Sequence, residues 1–345
     1  MFNNLAIFAL TKNSIKLGKS LSQEANNIFL FANPMDFKVS VRKAFKKFDG
    51  LIFIMAAGIV VRTIAPLLKG KEKDPAVVVM DEKGRYVISL LSGHLGRANA
   101  LAKMIAKIIS AEPVITTATD VNNLPCIEDI AERFNLVIED VKKIKVINSA
   151  IVNGRKTAFV DNNAKRLKTI KRFVGSRVQR FKFCKSVAQA QKFKADGNII
   201  ITHHSSPITQ NCFLLCPKDL VVGIGCDRGV KMKEVERAYF SVLKKWDMSP
   251  LSVRNLTSID VKQNEKGLLQ FAKKYNLNIE FYSKTELAKM SLPSGFSRFV
   301  MSKVGVGGVC EPAALKSAGV KKLLVKKQKI GRVTIAVAEA PFKSH

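Results

Sequence analysis

Apolar runs and alternations divide the first half of the chain into strands that alternate with helices. Residues 50–57, GLIFIMAA, are almost continuously apolar, as expected for a strand buried on both faces. Gly58 and the helical pattern IVVRTIAPLL follow, with Pro66 limiting that helix. Residues 76–81 and 85–91 are two β-rich runs joined by Asp81-Glu82-Lys83-Gly84, a hairpin turn. Next comes Ser92-Gly93-His94-Leu95-Gly96, which opens a helix over 97–109 whose Ala98, Leu101, Ala102, Ile105 and Ile108 or Ile109 keep helical spacing. Residues 113–117 read as a short strand ending in Thr117-Ala118-Thr119-Asp120, and 5–10 as a first core strand.

Residues 136–218 are less regular. A further unit begins at Leu220 with LVVGIGC, a strand entering a glycine-rich turn, and 231–246 follows as an amphipathic helix. Strands are predicted over 253–260 and 279–283, a helix over 266–275 between them, a helix over 311–318, and a closing hairpin of 323–326 with 332–339. The pattern predicts an α/β protein of several domains, with strand-helix alternating units and mainly parallel or mixed sheets. Its expected divisions are 1–135, a basic middle region 136–218, and 219–345.

Length changes this picture little, since 345 residues suit two or three domains. No apolar run reaches the roughly 18 residues that span a bilayer. Residues 5–10 lack the basic flank of a signal peptide, so a cytoplasmic protein with reduced cysteines is expected. The six cysteines have no framework spacing; Cys212 and Cys216 read as buried thiols and not as a metal pair. Adjacent His203 and His204, before Ser205-Ser206-Pro207, read as exposed.

Charge changes it more. A net charge of +31 calls for an anionic partner: nucleic acid, a membrane surface or a polyanionic small molecule. The densest basic stretch carries Lys165, Arg166, Lys168, Lys171, Arg172, Arg177, Arg180 and Lys182, interleaved with Phe173 and Phe181 and followed by Phe183. That mixture suits single-stranded nucleic acid. No nucleic-acid-binding motif accompanies it, so a basic helix face followed by a strand is the preferred reading.

Three strand-to-turn-to-helix junctions hold candidate chemistry: 56–62, 92–99 and 223–229. Helix N-termini there offer unpaired N–H groups that bind carboxylates or hold an oxyanion. His94, the histidine placed in such a turn, can activate water near neutral pH; a packing or capping role fits the same position, and Ser92 fits as the helix N-cap. Gly223, Gly225 and Gly229 do not keep G-x-G-x-x-G spacing, which disfavours a nicotinamide site and leaves an anion-binding turn using Arg228. Thr116, Thr117, Thr119 and Asp120 can bind polar groups or simply close a turn.

The strings AAGIVVRTIAPLL, DPAVVVMDEKGRYVISLLSGHLGRANALA, PVITTATD, VVGIGCDRG, SIDVKQNEKGL and VCEPAALKSAG, in this order, together resemble the cobalamin-biosynthesis protein G (CbiG) family of cobalt-precorrin-5A hydrolases. The resemblance covers about 1–135 and 220–340 and is weaker between. It implies a cobalt-bearing, carboxylate-rich tetrapyrrole substrate whose ring A δ-lactone is opened, with the methyl-bearing C20 leaving as acetaldehyde. Cobalt then arrives with the substrate, and the protein is expected to own no cofactor or metal. Neighbouring cobalamin-pathway enzymes are expected partners; membranes and nucleic acid are not. A nucleic-acid-binding protein and a non-catalytic carrier of corrin intermediates are the rival readings.

Within this resemblance His94 is the expected base, with the N–H groups of 93–97 holding the oxyanion and Asp120 and Glu311 as candidates to manage protons in C–C cleavage. Arg62, Arg97 and Arg228 would grip peripheral carboxylates. Ser92, Gly93, Gly96, Asn99, Thr117, Thr119 and Gly225 complete the expected substrate-binding set. The chain departs from the family pattern at Arg97, where a second glycine is usual, and at Asp227 and Val230, which replace a basic residue and a threonine.

Overall fold

The computed structural model describes residues 2–24, 27–70, 72–175, 181–204 and 212–343. The chain divides into two compact units, Met1–Asp129 and Ile130–His345.

The first unit is built on a sheet of six strands: β1 (Leu5–Ala9), β2 (Ile28–Ala32), β3 (Gly50–Ile54), β4 (Ala76–Met80), β5 (Tyr86–Leu91) and β6 (Glu112–Val114). Their order is β2-β1-β3-β4-β5-β6. The central strands are apolar at every position because both faces are covered. Leu5, Ile7, Ile52 and Ile54 pack on one side with Leu101 and Ile105, while Ala6, Phe8, Leu51 and Phe53 pack on the other with Val41 and Val60. Phe8 stacks on Phe31 and Phe53 with centroids 4.9 and 5.2 Å apart.

Strand direction positions the site. β1, β2, β3 and β4 run parallel, but the hairpin makes β5 antiparallel to β4, and β6 then runs parallel to β5. The loops leaving β5 and β6 therefore lie side by side, at the edge where β1, β3 and β4 begin. The loop after β3, carrying residues 56–62, leaves at the opposite edge.

The second unit holds two five-stranded sheets. Residues expected to be irregular form β7 (Leu136–Ile138), β8 (Thr157–Asp161), β9 (Phe181–Cys184), β10 (Gly197–Ile201) and β11 (Cys212–Pro217), in the order β7-β11-β10-β8-β9. Polar residues such as Asp161, Lys182 and Asn198 leave their apolar cores as brief interruptions in a lysine-rich text. The other sheet comprises β12 (Leu220–Cys226), β13 (Val253–Ile259), β14 (Ile279–Tyr282), β15 (Val325–Ile330) and β16 (Val333–Glu339), in the order β14-β13-β12-β16-β15. Its larger core lies under the helices Met232–Lys245 and Lys266–Lys274. On the other face Val221 and Ala338 pack with Ala314 and Ala318 of the helix Cys310–Ala318.

Gly223 and Gly225 belong to the buried strand β12 and not to a turn, which corrects the expected anion-binding role of Gly225. A Cβ on Gly223 would stand 1.9 Å from the carbonyl oxygen of Cys310. Glycine is there so that the helix can approach the strand. Gly223→Ala is accordingly expected to destabilise this unit by about 2 kcal/mol, read as a lowered denaturant midpoint. An unchanged midpoint would contradict that packing.

Arg166, within the basic stretch, is buried at 2% exposure and ion-paired with Asp161 and Asp219. Lys165, Lys168, Lys171 and Arg172 are exposed on the helix Ala164–Val174. Arg177 and Arg180 lie outside the described residues. Phe181 and Phe183 pack on Phe159, and Phe173 on Phe134. These rings are thus committed to the protein and do not form a base-stacking platform. His203 departs from its expected exposure, since Nε2 lies 2.5 Å from Asp219 Oδ1, while His204 is exposed beside Asp247. Ser205, Ser206 and Pro207 lie outside the described residues. Cys212 and Cys216 are buried and in no disulfide among the described residues. No helix among the described residues is long and apolar enough to cross a membrane.

Candidate functional site

The loop after β5 carries His94, and the loop after β6 carries Thr117, Thr119 and Asp120. Because the two strands are parallel neighbours, these side chains meet. His94 Nε2 lies 2.9 Å from Thr119 Oγ1 and 3.7 Å from Asp120 Oδ2. On its other side His94 Nδ1 lies 3.3 Å from Cys126 Sγ. Both ring nitrogens therefore have partners.

The helix Ala98–Ile109 begins one residue after its expected start, and its N-cap is Arg97, with no side-chain capping bond. Ser92 instead supplies a main-chain oxygen: its carbonyl accepts from Ala98 N–H, and that of Gly93 accepts from Asn99 N–H. These helix donors, with the Arg97 N–H that binds the His94 carbonyl, are already used. The N–H groups of Gly93, His94, Leu95 and Gly96 are the turn's remaining oxyanion donors. Ser92 Oγ is buried with no hydrogen-bond partner among the described residues.

Ser92 and Arg97 close the two ends of the turn with φ of 60° and 68°. This left-handed conformation favours glycine, which accounts for the usual glycine at the position of Arg97. Between them Gly96 is tightly enclosed, since a Cβ there would stand 2.4 Å from Ser92 Cβ.

Asn99, 5% exposed, ties the two loops together. Its Oδ1 accepts from Ser89 Oγ at 2.7 Å, and its Nδ2 donates to Thr117 Oγ1 and Asp120 Oδ2, both at 2.9 Å. Thr117 Oγ1 also donates to Asp120 Oδ2 at 2.8 Å, and Lys103 Nζ donates to Oδ1 at 3.0 Å. Burial pushes the Asp120 carboxyl up, but hydrogen bonds from Lys103 and Thr117, with the charges of Lys103 and His94, outweigh it and hold the pKa below its ordinary value. Asp120 is thus an anion that orders its neighbours, and in this state it has no proton to give.

A cavity of about 370 Å³ adjoins the turn and is lined by Leu95, Gly96 and Arg97 together with Lys46, Lys47 and Lys73. Asp49, Glu72 and Asp74 also line it, and of these Asp49 and Asp74 are held by the main chain. Both carboxylates accept main-chain hydrogen bonds, Asp49 from Asn3 and Asp74 from Lys69 and Gly70. Lys46 and Lys47 end the helix Phe37–Lys47. The Arg97 guanidinium lies over the Phe2 ring, 5.3 Å from its centroid.

Of the other expected residues, one lies elsewhere in the first unit and three belong to the second. Arg62 is exposed on the helix Ala57–Ile64, which leaves the opposite edge of the sheet. Gly225, Arg228 and Glu311 belong to the second unit. The exposed Arg228 offers its carbonyl to Arg332. Glu311, 2% exposed, accepts from Ser294 N–H and Oγ and from Lys327 N–H at 3.0, 2.7 and 2.9 Å, which ties two segments to its helix. Sequence reading missed Cys126, Lys103, Ser89 and the basic residues of the cavity. Lys103 and Asn99 stand four residues apart on one helix face, a signal that could have paired them; Cys126 carries none.

Three family models match in sequence order: Cobalamin synthesis G N-terminal over 39–120, Cobalamin biosynthesis central region over 125–217, and Cobalamin synthesis G C-terminus over 220–338. The chain belongs to the cobalamin synthesis G family. The N-terminal model of this family ends on Asp120 and takes in the whole His94 turn. Among its members, a cobalt-precorrin-5A hydrolase of Priestia megaterium is 34% identical, over 98% of this chain and 95% of the relative. A cobalt-precorrin-5A hydrolase of Salmonella typhimurium is 31% identical, over 90% and 91%. The crystal structure of a cobalamin biosynthesis protein G homolog from Sulfolobus solfataricus aligns over 98% of both chains, with 22% identity and a TM-score of 0.40.

Proposed function

We infer that this chain is a cobalt-precorrin-5A hydrolase, a cytoplasmic enzyme of anaerobic cobalamin biosynthesis. The observation that carries this reading is similarity along nearly the whole chain to relatives of that name, at 34% identity in one case. The first unit supplies a fitting site. N–H groups of Gly93–Gly96 that meet no partner among the described residues can hold an oxyanion, and a cavity beside them, lined by four cationic and three acidic side chains, can hold acetate and propionate groups on its cations.

In this reading water adds to the ring A lactone carbonyl, and the bond from that carbonyl carbon to the C20-borne oxygen breaks. C20 is left with its methyl and a hydroxyl. Loss of the hydroxyl proton and cleavage of the C–C bond to the macrocycle release acetaldehyde. The bonding electron pair goes to the ring carbon, which takes up a proton, so one water is consumed overall and cobalt-precorrin-5B remains. Cobalt arrives with the substrate, and the unstable macrocycle passes to and from neighbouring pathway enzymes. His94 centres the water activation, with Thr119, Asn99 and Asp120 as positioning residues.

Incubation with cobalt-precorrin-5A, with mass spectrometry for loss of the two-carbon fragment and trapping of acetaldehyde, tests this directly. Stoichiometric substrate binding with no acetaldehyde would make the chain a carrier instead. Arg97→Ala is expected to raise KM about 10-fold through loss of one charge-assisted contact, with kcat nearly unchanged. A kcat loss at constant KM would remove Arg97 from the carboxylate grip.

A further inference from the structure

We propose that His94, Cys126 and Asp129 bind one divalent cation of the zinc class. Their imidazole nitrogen, thiol sulfur and carboxylate oxygen all lie within 4.8 Å of one another. The 3.3 Å between Cys126 Sγ and His94 Nδ1 matches the ligand-to-ligand edge of roughly 3.3–3.8 Å in a tetrahedral zinc site. A mixed nitrogen, sulfur and oxygen set selects this class over magnesium or calcium.

The histidine is already oriented as a ligand. Its other nitrogen, Nε2, meets Thr119 Oγ1 at 2.9 Å with the Asp120 carboxylate at 3.7 Å. Metal-bound histidines give their second N–H to such groups, which fixes the tautomer and leaves the ligating nitrogen unprotonated. With Nε2 turned to Thr119 and Asp120, Nδ1 faces Cys126. A free general base would need a nitrogen open to substrate water, and His94 has neither.

Local charge agrees. Asp129 and Glu128 both lie beside Cys126, which gathers negative charge in a chain of net charge +31. The fully buried sulfur is a poor home for a bare thiolate and a good one for a metal thiolate. A second group, His203, Asp219 and Glu339, is equally compact. There, however, Arg166 holds Asp219 Oδ2 at 3.2 Å and His203 holds Oδ1 at 2.5 Å. Both carboxylate oxygens are already engaged.

Three protein ligands leave a tetrahedral ion one open position. The catalytic consequence rests on the lactone reading of this turn, whereas ion binding does not. With that reading, the open position takes the attacking water. The water loses its proton to solvent more readily there, and its oxygen passes to the lactone carbonyl.

The test begins with the full chain stripped by a chelator and titrated with Co²⁺ as a spectroscopic probe, then with Zn²⁺ followed by elemental analysis. One equivalent per chain is expected, with a thiolate-to-cobalt charge-transfer band in the near ultraviolet. Cys126→Ser should abolish that band. Asp129→Asn, on an exposed side chain whose change leaves the fold intact, should weaken binding at least about tenfold, the least seen when even an outer partner is lost. Substoichiometric binding, or affinity and band unchanged in both variants, would overturn the site. Assay with cobalt-precorrin-5A separates the two readings. Full-rate acetaldehyde release by stripped protein overturns the ion's catalytic role and keeps lactone opening. Metal binding without acetaldehyde keeps the site and overturns lactone opening.

Discussion

His94→Ala is expected to lower acetaldehyde release at least about 100-fold, with substrate affinity changed far less. The split follows from where the contacts lie. His94 joins Thr119 on one nitrogen to Cys126 on the other, so alanine removes the group around which water activation is organised. In the proposed reading the carboxylate grip is assigned to Arg97, Lys46, Lys47 and Lys73, which line the adjoining cavity. The variant should fold, because Asn99, Thr117 and Lys103 hold Asp120 without the histidine. Steady-state kinetics beside circular dichroism and substrate titration give the three readouts. Near-normal release from a folded variant would remove His94 from the chemistry, and an equal loss in binding would make it part of the grip.

The sequence reveals elements better than it reveals which elements meet. The continuous apolar run of β3, the hairpin of β4 and β5 and the periodic helix behind the His94 turn are local patterns; the hairpin strands and the helix appear within a residue of their expected positions, while β3 ends at Ile54, three residues before its apolar run does. Most of the sheet over 136–218 escapes because its strands, about as long as those of the first sheet, lack the continuous apolar runs found there: Thr157, Asp161, Lys182, Gly197 and Asn198 interrupt or end them. Arg62 illustrates a subtler loss. Its junction looks like that of His94, yet the hairpin reverses β5 and sends the two loops to opposite edges. The reversal was implicit in the predicted hairpin. Gly223 and Gly225 mislead differently, since glycine that admits a helix against a strand is spelled like glycine that turns a chain. Cys126 meets His94 across 32 residues, and only tertiary structure creates that contact.

Arg166→Met is expected to destabilise the second unit by about 3–5 kcal/mol, the cost of stranding a buried partner charge. The arginine joins the two sheets of this unit. Nε and Nη2 donate to Asp161 Oδ2 and Oδ1 at 2.6 and 3.0 Å, and Nη1 donates to Asp219 Oδ2 at 3.2 Å. Asp161 ends β8 at 0% exposure, and Asp219 immediately precedes β12. Burial pulls the Arg166 pKa down, but the hydrogen bond and charge of Asp161, with the charge of Asp219, outweigh it and raise it. Methionine fills much of the same volume, so the loss is mainly that of an uncompensated carboxylate in a dry place. A denaturant midpoint for the unit's unfolding measures it, with exposed Arg172→Ala as the surface control, expected to move the midpoint little. The double variant Asp161→Asn with Arg166→Met should recover part of the loss, because Asp161, the fully buried partner, is then neutral while the less buried Asp219 still lacks its arginine. If the double variant is as unstable as the single, packing and not charge holds this junction, and the densest basic stretch of the chain owes its buried arginine to shape.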